Sequence, residues 1–202
     1  MFKKSLIAAS TFLAFGAQAA LTTLPIWDAT YPGISGVEFN VNSSAAGLVA
    51  MGAHAYKNGV LLPNDGISVY QAQSGLYAPD GLGRANWSFD FVYSLSTACV
   101  GCKAFLRIDT DYSAATSYVD VDITAIYGAT AADSWNMKMG FLAPLGFNAF
   151  AASSTDFSLV IRDASGAEVL GSAITVTVPE PTSLALAGLA LAGLMAARRR
   201  TV

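Results

Sequence analysis

An all-β fold, an antiparallel β-sandwich of jelly-roll-like or immunoglobulin-like kind, is what this sequence predicts, and three observations carry the prediction. Apolar and polar residues alternate with a period of two in several short runs. Clusters of Gly, Asn, Asp and Pro punctuate the intervals between them. Runs of helical period are weak throughout. At 202 residues, 53% hydrophobic and 12% charged, the chain is too apolar to be disordered and has the length of one domain.

The alternation is clearest in two segments. Trp87, Phe89, Phe91, Tyr93 and Leu95 alternate with Asn86, Ser88, Asp90 and Ser94, while Trp135, Met137, Met139 and Phe141 alternate with Ser134, Asn136 and Lys138. Each pattern puts one set of side chains on each face of a half-buried strand. In chain order, further strands are expected at residues 37–41, 48–56, 67–71, 103–109, 118–126, 157–162 and 168–176. Turns are expected at Asn58-Gly59, Asn64-Asp65-Gly66, Pro79-Asp80-Gly81 and Asp163-Ala164-Ser165-Gly166.

Both ends stand apart from this pattern. Lys3 and Lys4 open the chain, an uncharged stretch follows over residues 6–15, and Ala17-Gln18-Ala19 closes it. A basic start, a short apolar run and small residues at alternate positions make a signal peptide, a signal helix cut by signal peptidase between Ala19 and Ala20. The other end reads VPEPTSLALAGLALAGLMAARRRTV. Pro179 and Pro181 lack backbone donors and break the preceding strand. Residues 182–197 carry no charge, and as a transmembrane helix they would rise about 24 Å against a hydrocarbon core of about 30 Å. Arg198, Arg199 and Arg200 snorkel to make up part of the deficit and hold their end on the cytoplasmic side. The body is therefore expected outside the cytoplasm.

This order, Pro-Glu-Pro, a Leu/Ala/Gly helix and a terminal arginine cluster, resembles the PEP-CTERM family of envelope proteins from Gram-negative bacteria that make exopolysaccharide. The resemblance implies that Pro179, Glu180 and Pro181 form the recognition motif and that an exosortase, an integral-membrane transpeptidase-like enzyme, removes the tail. The chain then divides into a signal peptide at 1–19, a β-sandwich domain at 20–177 and a sorting signal at 178–202. The tail holds the protein at the periplasmic face of the inner membrane until processing, and the body passes afterwards to the cell surface or the medium.

Without its ends the body, residues 20–178, keeps six basic and thirteen acidic residues, a net charge of −7. Nucleic acid is excluded as a partner, because phosphate binding needs a basic stripe. A cation or a neutral polysaccharide is easier to accommodate.

Cys99-Val100-Gly101-Cys102 is the most conspicuous local motif. A redox pair needs its first thiol at a helix N-terminus, and strand patterns flank this one. Zinc needs four ligands, whereas the chain holds two cysteines and one histidine, His54. Haem attachment needs a histidine where Lys103 stands. What is left is a disulfide across a tight loop in an oxidising compartment, stabilising by about 2 kcal/mol on the chain-entropy formula.

Asp109 and Asp111 lie two apart, as do Asp120 and Asp122, so on strands each pair shares a face. Across a hairpin looping at residues 112–117 the four carboxylates would supply oxygen ligands for Ca²⁺. Their other reading is solvent-facing charge that keeps edge strands from pairing with other chains. His54, between Ala53 and Ala55, reads as a packed or surface histidine rather than a general base, and no serine sits in a nucleophile elbow. Catalysis is not expected, with a glycan hydrolase built on an aspartate pair a distant third reading. For a lectin-like module, Trp27 and Tyr31 are the aromatic candidates, since Trp87 and Trp135 fall on the apolar faces of their strands. The expected role is a non-catalytic structural component associated with exopolysaccharide and biofilm, with sugar binding second.

Overall fold

Strands form where the alternation is strongest, and they pair into two sheets. The structure, a computed structural model, describes residues 20–57, 61–113 and 115–180. The order along the chain is β1 (Thr22–Thr23), α1 (Pro25–Thr30), β2 (Glu38–Ser44), β3 (Gly47–Ala55), β4 (Val69–Gln71), β5 (Trp87–Leu95), β6 (Lys103–Asp109), β7 (Tyr118–Asp122), α2 (Thr124–Tyr127), β8 (Thr130–Trp135), β9 (Ser153–Arg162) and β10 (Glu168–Val178). One sheet runs β1-β2-β3-β5-β8 and the other β4-β10-β9-β6-β7. Every pairing is antiparallel except that of β4 with β10, so the predicted sandwich is the observed fold. The signal segment at 1–19 with Ala17 and Ala19, the Asn58-Gly59 turn, Pro181, the apolar tail and Arg198 to Arg200 lie outside the described residues.

The two inner faces meet in one core. Met51, Trp87, Phe89, Phe91 and Trp135 come from the first sheet and Leu106, Ile108, Phe157, Leu159 and Ile174 from the second. Phe89 stacks on Phe157 with centroids 4.2 Å apart, and Trp87 meets the same ring edge-on. Along one border the sheets are clasped by polar groups. Asn40 and Asn42 donate from β2 to the carbonyls of Ala173 and Gly171 on β10, and Ser172 Oγ donates back to Asn40 O at 2.6 Å. Asn40 and Ser172 are buried there and each finds the partner that burial requires, while Asn42 adds its bond at the exposed rim.

The first sheet is buried on both faces, which period-two alternation does not foresee. Residues 24–37 fold back over its outer face as a small extra layer. There Trp27 and Val37 pack on Phe39, Ala50 and Val92 in a second apolar cluster. Pro25 stands at the start of α1, where its missing N–H costs nothing. Gly52 is required beneath this layer, because a Cβ would lie 3.0 Å from both Glu38 O and the Phe39 ring.

Three expected strands are shorter than their patterns. The run expected at 67–71 begins at Val69, because Asp65 Oδ1 accepts from Ile67 N, Ser68 N and Val69 N and prolongs the turn. The expected run through Phe141 ends at Trp135, since the buried Asn136 side chain turns to bond with the strand-start backbone opposite. It accepts from Ala85 N at 3.0 Å and donates to Trp87 O at 2.7 Å. The alternation continues because Met137 and, in part, Met139 pack on the end of the core rather than on a sheet face, while Phe141 is exposed. The run expected through residue 126 stops at Asp122, whose Oδ1 accepts from Ala125 N and starts α2. Thr124 Oγ1 accepts from Ala104 N at 2.6 Å and holds that turn on β6.

Strand direction sorts the loops between two ends. β10, β6 and β4 finish at one end, level with the starts of β9 and β7, so Val178 pairs with Ser153 and Asp109 with Tyr118. Through Trp87 and Phe89 on Phe157, the start of β5 and the end of β8 belong to that same end. The loops at 72–86, 110–117 and 136–152 gather there, at the exit of the C-terminal tail. The Cys99 turn, α2 and the turn at 163–167 occupy the other end.

Candidate functional site

The exit of the tail is built by the last strand. Thr177 pairs with Ser154 on one side and Gln71 on the other, and its hydroxyl donates to Tyr70 O at 3.2 Å. Ala72 N donates to Thr177 O at 2.9 Å, so the ladder holds to its last residue. Val178 is buried and paired, and Pro179 and Glu180 directly after it are exposed. Proline has no N–H to extend the ladder, so the strand stops where the motif begins.

Cys99 and Cys102 are joined, with Cα atoms 5.5 Å apart, in the turn that carries the chain from β5 in one sheet to β6 in the other. Their bond closes a tight turn already held by Cys102 N donating to Cys99 O at 3.2 Å. The flanking elements are strands, as expected.

His54 and Asp90 come from adjacent strands on the outer face of the first sheet, where α1 covers them. Nδ1 of His54 lies 2.9 and 2.8 Å from the two oxygens of Asp90, so this nitrogen carries the proton. The two side chains are 5% and 0% exposed. Burial by itself pulls the imidazole's pKa down, and the Asp90 charge and the hydrogen bond to it more than reverse this, so His54 stands above its ordinary value. Asp90 was legible only as a polar position on an alternating strand. Its partner is found by noticing that His54 is equally polar on the neighbouring strand.

The four aspartates do not converge. β6 ends at Asp109, which faces Tyr118 across the hairpin, and Arg107 rather than an aspartate faces Asp120. Asp109 is buried and its Oδ1 accepts from Asp111 N and Ser117 N, closing the loop. Asp111 lies beyond the strand and caps Ser113 N, while Asp122 pairs with Lys103 at 2.9 Å. Asp120 joins Arg107, Arg162 and Glu168 in a four-membered ion network on the outer face of the second sheet. Among the described residues no group of three or more His, Cys, Asp or Glu side chains is placed to hold a metal ion. Millimolar Ca²⁺ is accordingly expected to leave the thermal midpoint unchanged, and a rise of several degrees in calorimetry would contradict this arrangement.

Trp27 and Tyr31 are not sugar platforms. Trp27 is fully buried between Tyr31 and Phe39, with ring centroids 4.5 and 5.2 Å away, and its Nε1 donates to Ile34 O. Tyr31 Oη donates to Asp133 Oδ1 at 2.9 Å. The other oxygen of Asp133 receives the Tyr127 hydroxyl and Trp135 Nε1, and Ser134 N also donates to Oδ1. One carboxylate thus ties α1, α2 and β8 together. Burial and the bond to Asp133 push the Tyr127 hydroxyl up to about 12, and the same two causes raise Tyr31. No local pattern announces this knot, because Tyr31 and Asp133 are 102 positions apart.

A two-sheet β-sandwich whose final strand runs without a spacer into a C-terminal sorting tail is the class these features define. The tail is a PEP-CTERM protein-sorting motif, whose family model matches residues 177–200. The chain is therefore an exported protein that an exosortase processes. No curated protein matches the chain.

Proposed function

We propose that this protein is a non-catalytic structural component of the cell surface or extracellular matrix in an exopolysaccharide-producing bacterium, released from the membrane when exosortase removes its tail. The reading is carried by the exit geometry. The sandwich is closed up to Val178, and Pro179 and Glu180 are exposed directly after it, so processing would free a complete folded body. The chain's one histidine supports a role without catalysis. Its side chain is buried beneath Trp27, which keeps both ring nitrogens out of reach of a substrate.

Expression in a host that has an exosortase tests the first half. Intact mass of the secreted wild type is expected to show loss of both ends. Glu180→Ala is expected to keep its tail and stay in the membrane fraction. Equal processing of the two would remove the assigned role of the motif.

A further inference from the structure

We propose that the tail end of the sandwich rests on the membrane surface until processing, with Leu82, Phe141 and Phe150 entering the boundary between headgroups and acyl chains. This rests on the reading above that the apolar tail is held in a membrane. Three residues, 179–181, separate buried Val178 from Thr182, where the uncharged stretch opens, so the two are four Cα-to-Cα steps apart. A fully extended chain of that length reaches about 14 Å. The end of the sandwich from which the tail leaves is thus held against the bilayer.

The side chains at that end suit the position. Leu82, Phe141 and Phe150 are 57%, 60% and 61% exposed, and all three stand on loops gathered at the tail exit. Those loops form a braced platform. Gly75 N donates to Ala149 O, the Asn136 amide holds Ala85, Arg84 Nη1 donates to Lys138 O, and Tyr112 Oη donates to Leu145 O. Large apolar side chains on a fixed frame bury themselves at an interface without an ordering cost. Arg84 and the exposed Lys138 lie two and three positions along the chain from Leu82 and Phe141, and Asp80 nearby is paired with Lys57, so these loops offer cations to anionic headgroups. Among the described residues the large exposed apolar side chains at the opposite end are Val100, Ile126 and Val169, none of them aromatic. Aromatic rings are the side chains that favour the membrane interface.

The test places a tryptophan reporter at Phe141, Phe150 or Val100 in the full chain after signal removal. The native Trp27, Trp87 and Trp135 are buried. Because Trp135 packs edge-on against the ring at 141, 4.8 Å away, the wild-type chain is carried through the same titration, and the reporter at 150, which has no such neighbour among the described residues, is the primary reading. In vesicles of phosphatidylethanolamine and phosphatidylglycerol, brominated acyl chains are expected to remove most of the added emission at 141 and 150 and to leave that at 100. Flotation of the vesicles is read in parallel. A chain that floats with unquenched reporters at 141 and 150 overturns this proposal alone. One that does not float overturns the membrane-held tail and this proposal with it. Reporters at 141 and 150 that are shielded from aqueous acrylamide yet unquenched by the lipid would place a protein against this face and likewise overturn it.

Discussion

Asp90→Ala is expected to lower folding stability by about 3–5 kcal/mol, the range for removing one member of a buried ion pair. The cause is the partner left behind. His54 keeps a raised pKa only through Asp90, and without it the imidazole is a buried polar ring whose Nδ1 proton has lost its acceptor. At about 2–4 °C per kcal/mol for a domain of this size, the midpoint should fall by about 6–20 °C. Replacing both residues by leucine should recover most of the loss, because an apolar pair of similar volume avoids the desolvation of two charges. Calorimetry on His54→Leu, Asp90→Leu and the double variant gives the coupling directly. A double variant no more stable than Asp90→Ala would show that the pair is not the source.

The same pair fixes the sign of a pH dependence. The folded pKa of His54 lies above its ordinary value of about 6.5. Its contribution is therefore fully present below about pH 6.5 and is lost as pH rises through the folded value, because the folded state then gives up a proton it bound more tightly than the unfolded chain. The midpoint should decline across that window in the wild type and stay flat in the leucine pair.

What the sequence revealed follows from the range of the interactions. β6 was legible to the residue, and β3, β5, β9 and β10 to within a few, because alternation is local and each strand has one face on the common core. The tail was legible for the same reason, since its parts lie side by side in the chain. Alternation misled where a loop caps the core. Met137 and, in part, Met139 bury themselves from a loop after Asn136 leaves the sheet, and they prolong a pattern that no strand underlies. Asp109 and Asp120 misled because strand faces were assigned without register. Opposite Asp120 stands Arg107, so the charges neutralise in pairs instead of gathering for a cation. The layer at residues 24–37 has no signature at all, since its burial depends on Phe39, Ala50 and Val92 from three other strands.

Trp27→Ala should be the most destabilising change in that layer, at about 3–5 kcal/mol for an aromatic side chain deleted from a packed site. The side chain has no exposed surface, and it touches Tyr31 and Phe39 while its ring lies 6.4 Å from that of His54. Deletion leaves a cavity over the His54–Asp90 pair and loosens the hold of α1, so water gains access to two groups that were dry. Admitted water would also solvate a lone imidazole. The cost of Asp90→Ala should therefore be smaller in the Trp27→Ala background than in the wild type, a coupling expected between residues that share one buried cluster. Denaturant midpoints for the four proteins measure it. An exposed tryptophan that stacks on a sugar ring would behave in the opposite way, with stability unchanged and retention on polysaccharide lost. An unaltered midpoint in Trp27→Ala would restore that role, whereas a fall of several degrees assigns the residue to the layer that seals the first sheet.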